Sequence, residues 1–249
     1  MLTEERYAAI LGALEEKKAV TVAELTRRVG VSESTIRRDL AALHELGRLV
    51  KVHGGATVPE RDFTAREEDI PTKSGLCIEE KQRIARYAAG LVQDDDFVYL
   101  DAGTTTESMI DYLGATRATF LTNGIVHAKK LAQRGLKVYV VGGQLKRSTE
   151  AIVGAEAVES LGRYNFSKCF LGTNGISVEA GLTTPDVEEA RLKTAAAGRS
   201  YVPFVLADHT KFGKVSAVTF FPLERACVLT DRLPDAAYTE KTVVKEVPV

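Results

Sequence analysis

The first fifty residues place apolar side chains at helical spacing, and the rest of the chain alternates short apolar runs with helical patterns. One face of a helix that begins near Thr3 carries four apolar residues at i, i+3, i+4 and i+7: Tyr7, Ile10, Leu11 and Leu14. Beyond residue 96 the apolar runs are three to six residues long, which is typical of buried strands. The pattern therefore predicts a small helical domain followed by a larger α/β domain.

Capping residues divide the N-terminal part into three helices. Thr21 and Glu24 have the spacing of a capping box, which predicts a second helix that runs to Val29. Gly30 supplies a turn, and Ser32 is a favourable N-cap for a third helix. That third helix buries Ile36, Leu40 and Leu43 and ends at Gly47. Two short helices joined by a glycine-containing turn, with a helix before them, have the order of a helix-turn-helix motif.

The exposed face of the third helix carries side chains suited to DNA. The residues that we expect to contact DNA from its first two turns are Ser34, Thr35, Arg37 and Arg38. Asp39, beside the two arginines, is interpreted as an intrahelical charge partner. The segment that follows Gly47 alternates apolar residues around Gly54–Gly55, which predicts a β-hairpin wing with three phosphate-binding side chains: Arg48, Lys51 and His53. The pattern alone leaves a second interpretation open, a three-helix protein-interaction module with a solvated polar face.

The remaining chain predicts an open, largely parallel sheet with helices on both faces. The expected strands are 97–100, 119–121, 137–141, 169–171, 201–206 and 226–229, with an earlier helix from about residue 79. The expected helices between the strands are 105–113, 124–134, 152–162 and 185–198. Residues 59–75 are polar, charged and aperiodic, and we interpret them as an inter-domain linker. The predicted domains are thus 1–58, the linker 59–75, and 76–249.

Polar residues and glycines follow the predicted strands, at the sheet edge where α/β proteins bind ligands. The candidate ligand-binding residues are Asp101, Gly103, Thr104, Thr105, Thr106, Thr122, Asn123, Gly143, Lys146, Asn174, Asp208 and Lys211. Glycine and hydroxyl residues at a helix N-terminus suit an anion, and asparagine and aspartate suit sugar hydroxyls. Each group alone is equally consistent with helix capping, turn chemistry or solvated charge pairs. Five such groups at successive strand ends favour one pocket.

Composition narrows the functional classes further. The chain of 249 residues has a net charge of −1, but residues 27–53 carry six Lys/Arg against three Asp/Glu. A prediction of DNA binding therefore depends on where the basic side chains lie, and not on the net charge of the chain. The three cysteines are widely spaced and have no partner at metal-ligand spacing, so we expect reduced thiols, no metal and no cofactor. Short apolar runs and a polar, acidic N-terminus predict a cytoplasmic protein without membrane spans or a secretion signal.

The motifs together resemble the DeoR family of bacterial transcriptional regulators. The strings that carry the resemblance are VSESTIRRDL at 31–40, VHGGA at 52–56, LDAGTTT at 100–106, LTNG at 121–124, VGG at 141–143, FLGTNG at 170–175 and ADHTKFG at 207–213. His209 and Thr210 depart from the proline and serine expected before Lys211. The resemblance implies a winged helix-turn-helix and a sensor domain with the fold of ribose 5-phosphate isomerase and glucosamine 6-phosphate deaminase. It also implies double-stranded operator DNA as a partner and a homo-oligomer, a dimer or a tetramer.

Within that family the chain is most similar to fructose operon repressors, through TTPD at 183–186 and EKTVVK at 240–245. This similarity implies a repressor that responds to fructose 1-phosphate, and it implies no catalytic residues. The alternative is a sugar-phosphate isomerase or deaminase with an accessory N-terminal module. The residues that could act as bases in such an enzyme are Asp101, His127, Glu188, Asp208 and His209.

Overall fold

The computed structural model describes residues 2–58, 63–64 and 69–248, which form two compact units, 1–62 and 63–249. The first unit contains helices α1 (Thr3–Lys17), α2 (Val22–Val29) and α3 (Glu33–Glu45) and strands β1 (Ala19–Thr21), β2 (Val50–Val52) and β3 (Gly55–Thr57). The three predicted helices and the wing hairpin are confirmed. Strand β1, which the sequence pattern did not predict, pairs antiparallel with β3 and completes a sheet of order β1-β3-β2.

Local capping signals set the ends of α2 and α3. The Thr21 hydroxyl accepts the Glu24 amide at 3.2 Å, and the Ser32 hydroxyl accepts the Thr35 amide at 3.3 Å. Glu24 does not complete the expected capping box, because its carboxylate accepts a hydrogen bond from Lys17 Nζ instead. Gly30 and Gly47 end the two helices with positive φ angles of 73° and 69°, which glycine adopts without a steric penalty. The apolar stripes of the three helices meet in one fully buried core: Ile10, Leu14, Leu25, Ile36, Leu40, Leu43 and Leu49.

A seven-stranded parallel sheet organises the second unit, in the order β17-β16-β13-β10-β5-β6-β7. Its strands are β5 (Phe97–Leu100), β6 (Thr119–Thr122), β7 (Lys137–Val140), β10 (Phe166–Gly172), β13 (Ser200–Leu206), β16 (Cys227–Thr230) and β17 (Val243–Glu246). Six of the seven were predicted, and β17 was not. The predicted largely parallel α/β sheet is confirmed, since every neighbouring pair runs parallel.

Helices cover both faces of this sheet. They are α4 (Ile70–Ser74), α5 (Ile78–Ala89), α6 (Thr104–Asp111), α7 (Ile125–Gln133), α8 (Ala155–Leu161) and α9 (Val187–Gly198). Alternate residues of one strand point into different cores: Val98 and Leu100 pack into the core that includes Ile84 of α5, whereas Tyr99 packs into the core that includes Leu192 of α9. This alternation explains why the strands read as continuous apolar runs.

Short strands form further, smaller sheets in addition to the seven-stranded sheet. They are β4 (Phe63–Thr64) with β14 (Val215–Ser216), β8 (Gln144–Lys146) with β9 (Ala151–Val153), and a three-stranded antiparallel sheet of β11 (Gly175–Ser177), β12 (Gly181–Thr184) and β15 (Val218–Phe221). The predicted helix 152–162 begins only at Ala155, because β9 occupies its first positions.

The expected linker 59–75 needs correction where the structure describes it. Strand β4 pairs with β14, and α4 follows, so both segments belong to the second unit. Asp69 caps α4 by accepting the Thr72 amide at 3.1 Å, which explains how a polar, aperiodic stretch forms a short helix. Residues 59–62 and 65–68 lie outside the described residues.

Candidate functional site

The outward face of α3 holds the predicted DNA-contacting residues. Ser34 and Thr35 lie at its first turn, where each hydroxyl oxygen is 2.9 Å from the Ser32 hydroxyl. Arg37 pairs with Glu33 at 3.1 Å, and both side chains are more than half exposed. Arg38 is exposed and makes no side-chain hydrogen bond or ion pair with any described residue. Its guanidinium is therefore available to a guanine edge or a phosphate.

The wing presents the remaining predicted DNA contacts. Arg48, Lys51 and His53 are all exposed, and the hairpin turns at Gly54 with a φ of 82°. Gly55 is required for a different reason: a Cβ atom there would lie 2.1 Å from the Val20 carbonyl oxygen of β1. The tight β1–β3 approach therefore fixes the wing against the helices. That these side chains contact DNA stays a prediction.

Asp39 does not act as an intrahelical charge partner. Its carboxylate is buried and accepts two hydrogen bonds from Arg6 of α1, at 2.7 Å from Nε and 3.0 Å from Nη2. The interpretation from sequence was wrong because Arg6 lies 33 positions away and becomes a neighbour only when α1 packs on α3. The pair fixes the third helix in the unit and raises the pKa of Arg6.

A cavity lies at the carboxyl ends of the central strands in the second unit, where the sequence predicted one. Seven of the predicted residues line it: Asp101, Gly103, Thr104, Thr105, Asn174, Asp208 and Lys211. The amides of Thr104 and Thr105 open α6 and have no partner within the helix, so they are free to bind an anion. The pocket thus combines amide donors, amide and carboxylate acceptors, and lysines.

Three predicted residues lie behind the cavity wall and support it. The Thr106 hydroxyl donates to the Asp101 carbonyl at 2.6 Å, and Asn123 Oδ1 accepts the Ala102 amide at 2.9 Å. The Thr122 hydroxyl accepts the Gly124 amide at 3.0 Å. All three side chains are buried and do not line the cavity. Thr106 and Asn123 hold the loop 101–103 in place and Thr122 holds the turn at Gly124, so the structure places these three side chains behind the cavity surface and not on it.

Gly143 and Lys146 do not line the cavity either. A Cβ at Gly143 would lie 2.7 Å from the Val153 carbonyl oxygen, so this glycine permits the close approach to β9. Lys146 Nζ pairs with Asp186 at 3.0 Å and with Glu189 at 2.8 Å. Glu189 does line the cavity. Lys146 consequently neutralises the Glu189 carboxylate in the cavity wall. The spacing of residues in the sequence did not predict this pair.

Sequence reasoning missed several lining residues: Lys73, Lys81, Glu189 and Lys193 come from helices, and Thr149 comes from the turn between β8 and β9. Lys193 Nζ donates to a carboxylate oxygen of Asp101 and, at 3.1 Å, to the Gly172 carbonyl. Asp101 also accepts the Gly172 amide at 3.0 Å, so a buried, hydrogen-bonded ion pair lines the cavity. Lys193 follows Glu189 by one helical turn on α9, and this spacing is the only sequence signal that places both on one face.

His127 lies against the loop 101–103 and the first turn of α6. Its Nε2 is 3.2 Å from the Gly103 carbonyl oxygen and 3.2 Å from the Thr106 hydroxyl. Burial lowers the pKa of His127 to about 4, so the ring is neutral near pH 7. A Cβ at Gly124 would lie 2.4 Å from its Nδ1, which explains the glycine at that position.

Three of the groups considered as bases for an isomerase or deaminase have hydrogen-bond or ion-pair partners within the protein. Asp208 Oδ1 accepts the Thr210 amide at 3.0 Å, and His209 Nδ1 lies 2.8 Å from Asp231. Glu188 pairs with Arg191 at 3.0 Å and does not line the cavity. The His209 amide also donates to Asp231 at 2.8 Å, a bond that the expected proline could not make.

Within residues 2–58, 63–64 and 69–248, none of the helices combines the length and the apolar character needed to cross a membrane. Within the same residues, no cluster of histidine, cysteine and carboxylate side chains is arranged to hold a metal ion.

Each of the two parts of the chain matches its own family model. The DeoR-like helix-turn-helix domain matches residues 6–62, and the DeoR C terminal sensor domain matches residues 76–232. The uncharacterized HTH-type transcriptional regulator FruR of Bacillus subtilis is 42% identical over 99% of both chains. The HTH-type transcriptional repressor GlcR of the same organism is 34% identical over 96% of this chain and 93% of its own. The lactose phosphotransferase system repressor of Staphylococcus aureus (strain N315) is 32% identical over 98% of both.

Ribose 5-phosphate isomerase A of Methanocaldococcus jannaschii aligns at 17% identity with a TM-score of 0.39, over 53% of each chain. The full-length sorbitol operon regulator SorC of Klebsiella pneumoniae aligns at 10% identity with a TM-score of 0.38, over 83% of this chain and 89% of its own.

Proposed function

This chain belongs to the DeoR family of transcriptional regulators, and from that premise we propose that it represses a fructose uptake and phosphorylation operon until fructose 1-phosphate binds. As a family member it is a DNA-binding repressor of sugar metabolism with a C-terminal sensor domain. The choice of fructose rests on the similarity to FruR at 42% identity. We expect it to work in the cytoplasm, where operator DNA and the sugar phosphate are both present, and without catalysis.

The observation that carries the proposal is the cavity at the carboxyl ends of the central strands. Its amides at Thr104 and Thr105 suit a phosphate, while Asn174 and Asp208 suit sugar hydroxyls. Asn174 Oδ1 accepts the Thr184 hydroxyl at 3.1 Å, so its amide nitrogen is oriented by a fixed contact. A polar cavity with both kinds of group fits a small phosphorylated sugar better than an apolar ligand.

The DNA side of the proposal rests on α3 and the wing. Arg38 and the wing residues Arg48 and Lys51 are exposed on a small domain whose core fixes their positions. Phosphate contacts give affinity, and an arginine at a base edge gives sequence preference. Helix-turn-helix proteins pair their own two-fold symmetry with repeated half-sites, so we propose a homo-oligomer on DNA. The sugar phosphate would favour a population of the protein that binds the operator weakly.

Two measurements on the full-length protein test this function. Fluorescence anisotropy compares its upstream DNA with shuffled DNA of the same length at two salt concentrations. We expect tighter binding to the natural sequence and weaker binding at high salt, because phosphate contacts release counterions. Isothermal titration calorimetry then compares fructose 1-phosphate, fructose 6-phosphate and fructose. Equal affinity for natural and shuffled DNA contradicts the repressor, and preference for the 6-phosphate contradicts the assigned effector.

A further inference from the structure

Strand β7 forms an open edge of the seven-stranded sheet. Its inner side pairs parallel with β6, and no described strand pairs with its outer side. The Val141 amide donates to the Thr122 carbonyl of β6 at 3.1 Å, and in a parallel ladder alternate residues face the same neighbouring strand. Tyr139 therefore bonds to β6, whereas the backbone N–H and C=O groups of Val138 and Val140 point away from the sheet.

The side chains of this edge are apolar and exposed. Tyr139 and Val140 are each 44% exposed. Tyr139 also lines an open recess with Phe97, Thr119 and Tyr164. An edge strand that combines free backbone groups with exposed apolar side chains is a template on which another strand pairs. The edge formed by β7 thus has the character of an interface.

The opposite edge of the same sheet is protected. Strand β17 ends with Lys245 and Glu246, which are both exposed, and Glu246 accepts the Leu233 amide at 2.9 Å. Charged side chains at an edge oppose the addition of a strand. The charged residue of β7, Lys137, lies at its first position, and its Nζ is 5.7 Å from the centroid of the Tyr139 ring. The edge that fits a partner is therefore β7.

The geometry of β7 specifies a second copy of this chain as that partner. Closed dimers place the same surface of both copies around a two-fold axis, and two β7 strands related by such an axis run antiparallel. The outward groups of Val138 then exchange hydrogen bonds with those of Val140 of the partner subunit, and the reverse pair forms as well. In this register Tyr139 lies on the axis, opposite the partner's Tyr139 and on the same face of the sheet.

The charges of the edge fit this two-fold pair. The two Lys137 residues lie on opposite sides of the axis, about 13 Å apart along the strands, so they do not repel each other strongly. Each lies diagonally across from the partner's Tyr139, within reach of a long side chain, and an ammonium group is attracted to the face of a tyrosine ring. A head-to-tail pairing of β7 with β17 would instead produce an open fibre and place the charged residues of β17 in the contact.

We propose that two copies of this chain join through β7, so that their sheets continue into one another with Tyr139 on the two-fold axis. This inference rests on the homo-oligomer of the proposed function, and it assigns the surface and the register of that assembly. The pair brings two DNA-binding units into one molecule, as two operator half-sites require.

Analytical ultracentrifugation of the full-length protein over a concentration series tests the surface. Tyr139→Glu places two like charges opposite each other on the axis, and Val140→Pro removes an outward N–H that the sheet of the single chain does not use. We expect the dissociation constant for pairing of two copies to rise roughly tenfold or more in both variants. Tyr201→Glu, on a tyrosine of β13 that is 91% exposed, is the matched control and should pair like the wild type.

Tyr139→Cys tests the register. Residues opposite each other in a non-hydrogen-bonded antiparallel pair have Cα atoms about 4.5 Å apart, which a disulfide can span. Under mild oxidation we expect this variant to form a covalent dimer on a non-reducing gel. The wild type, which carries Cys77, Cys169 and Cys227, and the control variant Tyr201→Cys should remain single chains.

Three results would overturn the proposal: a wild type that stays monomeric at every concentration, pairing of both Tyr139→Glu and Val140→Pro as tight as that of the wild type, or no more covalent dimer from Tyr139→Cys than from Tyr201→Cys. A covalent dimer of Tyr139→Cys in a protein that does not prefer its natural upstream DNA over shuffled DNA would support the interface and contradict the repressor. The two failures are therefore distinguishable.

Discussion

Arg6 and Asp39 join the first helix to the third through two parallel hydrogen bonds. Nε and Nη2 of Arg6 lie 2.7 Å and 3.0 Å from the two carboxylate oxygens, and Asp39 is buried. This bidentate geometry fixes both distance and orientation. The two arginines that precede Asp39 are exposed, so the ion pair anchors the helix whose outer face carries the expected DNA contacts.

Asp39→Asn should lower the unfolding midpoint of the N-terminal unit by several degrees and weaken operator binding. The substitution removes the buried negative charge that pairs with Arg6 and replaces one of the two acceptor oxygens with an NH₂ donor. Calorimetry of the full-length protein measures the first effect, and anisotropy on operator DNA measures the second.

Arg37→Gln is the matched control for Asp39→Asn. It removes the exposed pair with Glu33, and such pairs contribute about 0.3–0.5 kcal/mol. The control should hardly change the unfolding midpoint. Equal effects of the two substitutions on that midpoint would show that the Arg6–Asp39 pair has no special role.

Arg38→Ala should weaken operator binding by roughly 1–3 kcal/mol and relax the preference at one base pair, if its guanidinium contacts a guanine. Anisotropy with operator variants substituted at single positions measures both effects. Arg163→Ala, on an exposed arginine of the sensor domain, should leave affinity unchanged. A uniform loss over all operator variants would make Arg38 a phosphate contact instead of a base contact.

Thr105→Asp should abolish the response to the sugar phosphate and leave DNA binding intact. Its carboxylate would repel a phosphate at the first turn of α6, where Thr105 lines the cavity. Thr105→Val keeps the side-chain volume and the backbone amide, so we expect only a modest loss. Operator release at the wild-type concentration of effector by the aspartate variant would place the phosphate elsewhere.

His127 should make the stability of the sensor domain depend on pH. Its pKa in the folded protein is about 4, below the ordinary value of 6.5, so the unfolded chain binds more protons between these values. The stabilising contribution is complete above about pH 6.5 and is lost as the pH falls toward 4. Glu107 and Asp101 favour the charged ring, and Lys130 opposes it, but burial dominates.

His127→Gln should remove this dependence. The difference in unfolding free energy between wild type and variant is expected to shrink by about 2 kcal/mol from pH 7 to pH 5. Urea titrations at both pH values measure the difference, and His53→Gln, on an exposed histidine of the other unit, serves as the control. Parallel pH profiles for wild type and His127→Gln would mean that the ring is not buried as a neutral group.

Local signals account for most of what the sequence could predict. Thr21 and Ser32 cap their helices through amides three residues away, so the first unit could be read from short windows. The strand ends were found in the same way, because an apolar run followed by glycine and hydroxyl residues is a local pattern. Strand β17 escaped prediction since it is largely exposed and lacks a continuous buried run.

Side-chain partners across the fold could not be predicted in this way. Arg6 and Asp39 are 33 positions apart, and Lys193 and Asp101 are 92 apart. Asn123 was predicted to bind a sugar hydroxyl, and only the folded chain shows that it supports Ala102 from behind. Strand-end patterns indicate where a pocket opens and include Lys211, whereas Lys73, Lys81 and Lys193 come from helices that line it.

The central claim is tested most directly by titrating fructose 1-phosphate into the complex of the full-length protein with its fluorescent operator DNA at fixed salt. Fructose 6-phosphate and fructose serve as controls, and Thr105→Asp serves as the variant that binds DNA without sensing. We expect anisotropy to fall with fructose 1-phosphate alone and to stay constant with Thr105→Asp. Constant anisotropy of the wild-type complex at saturating fructose 1-phosphate would contradict the account.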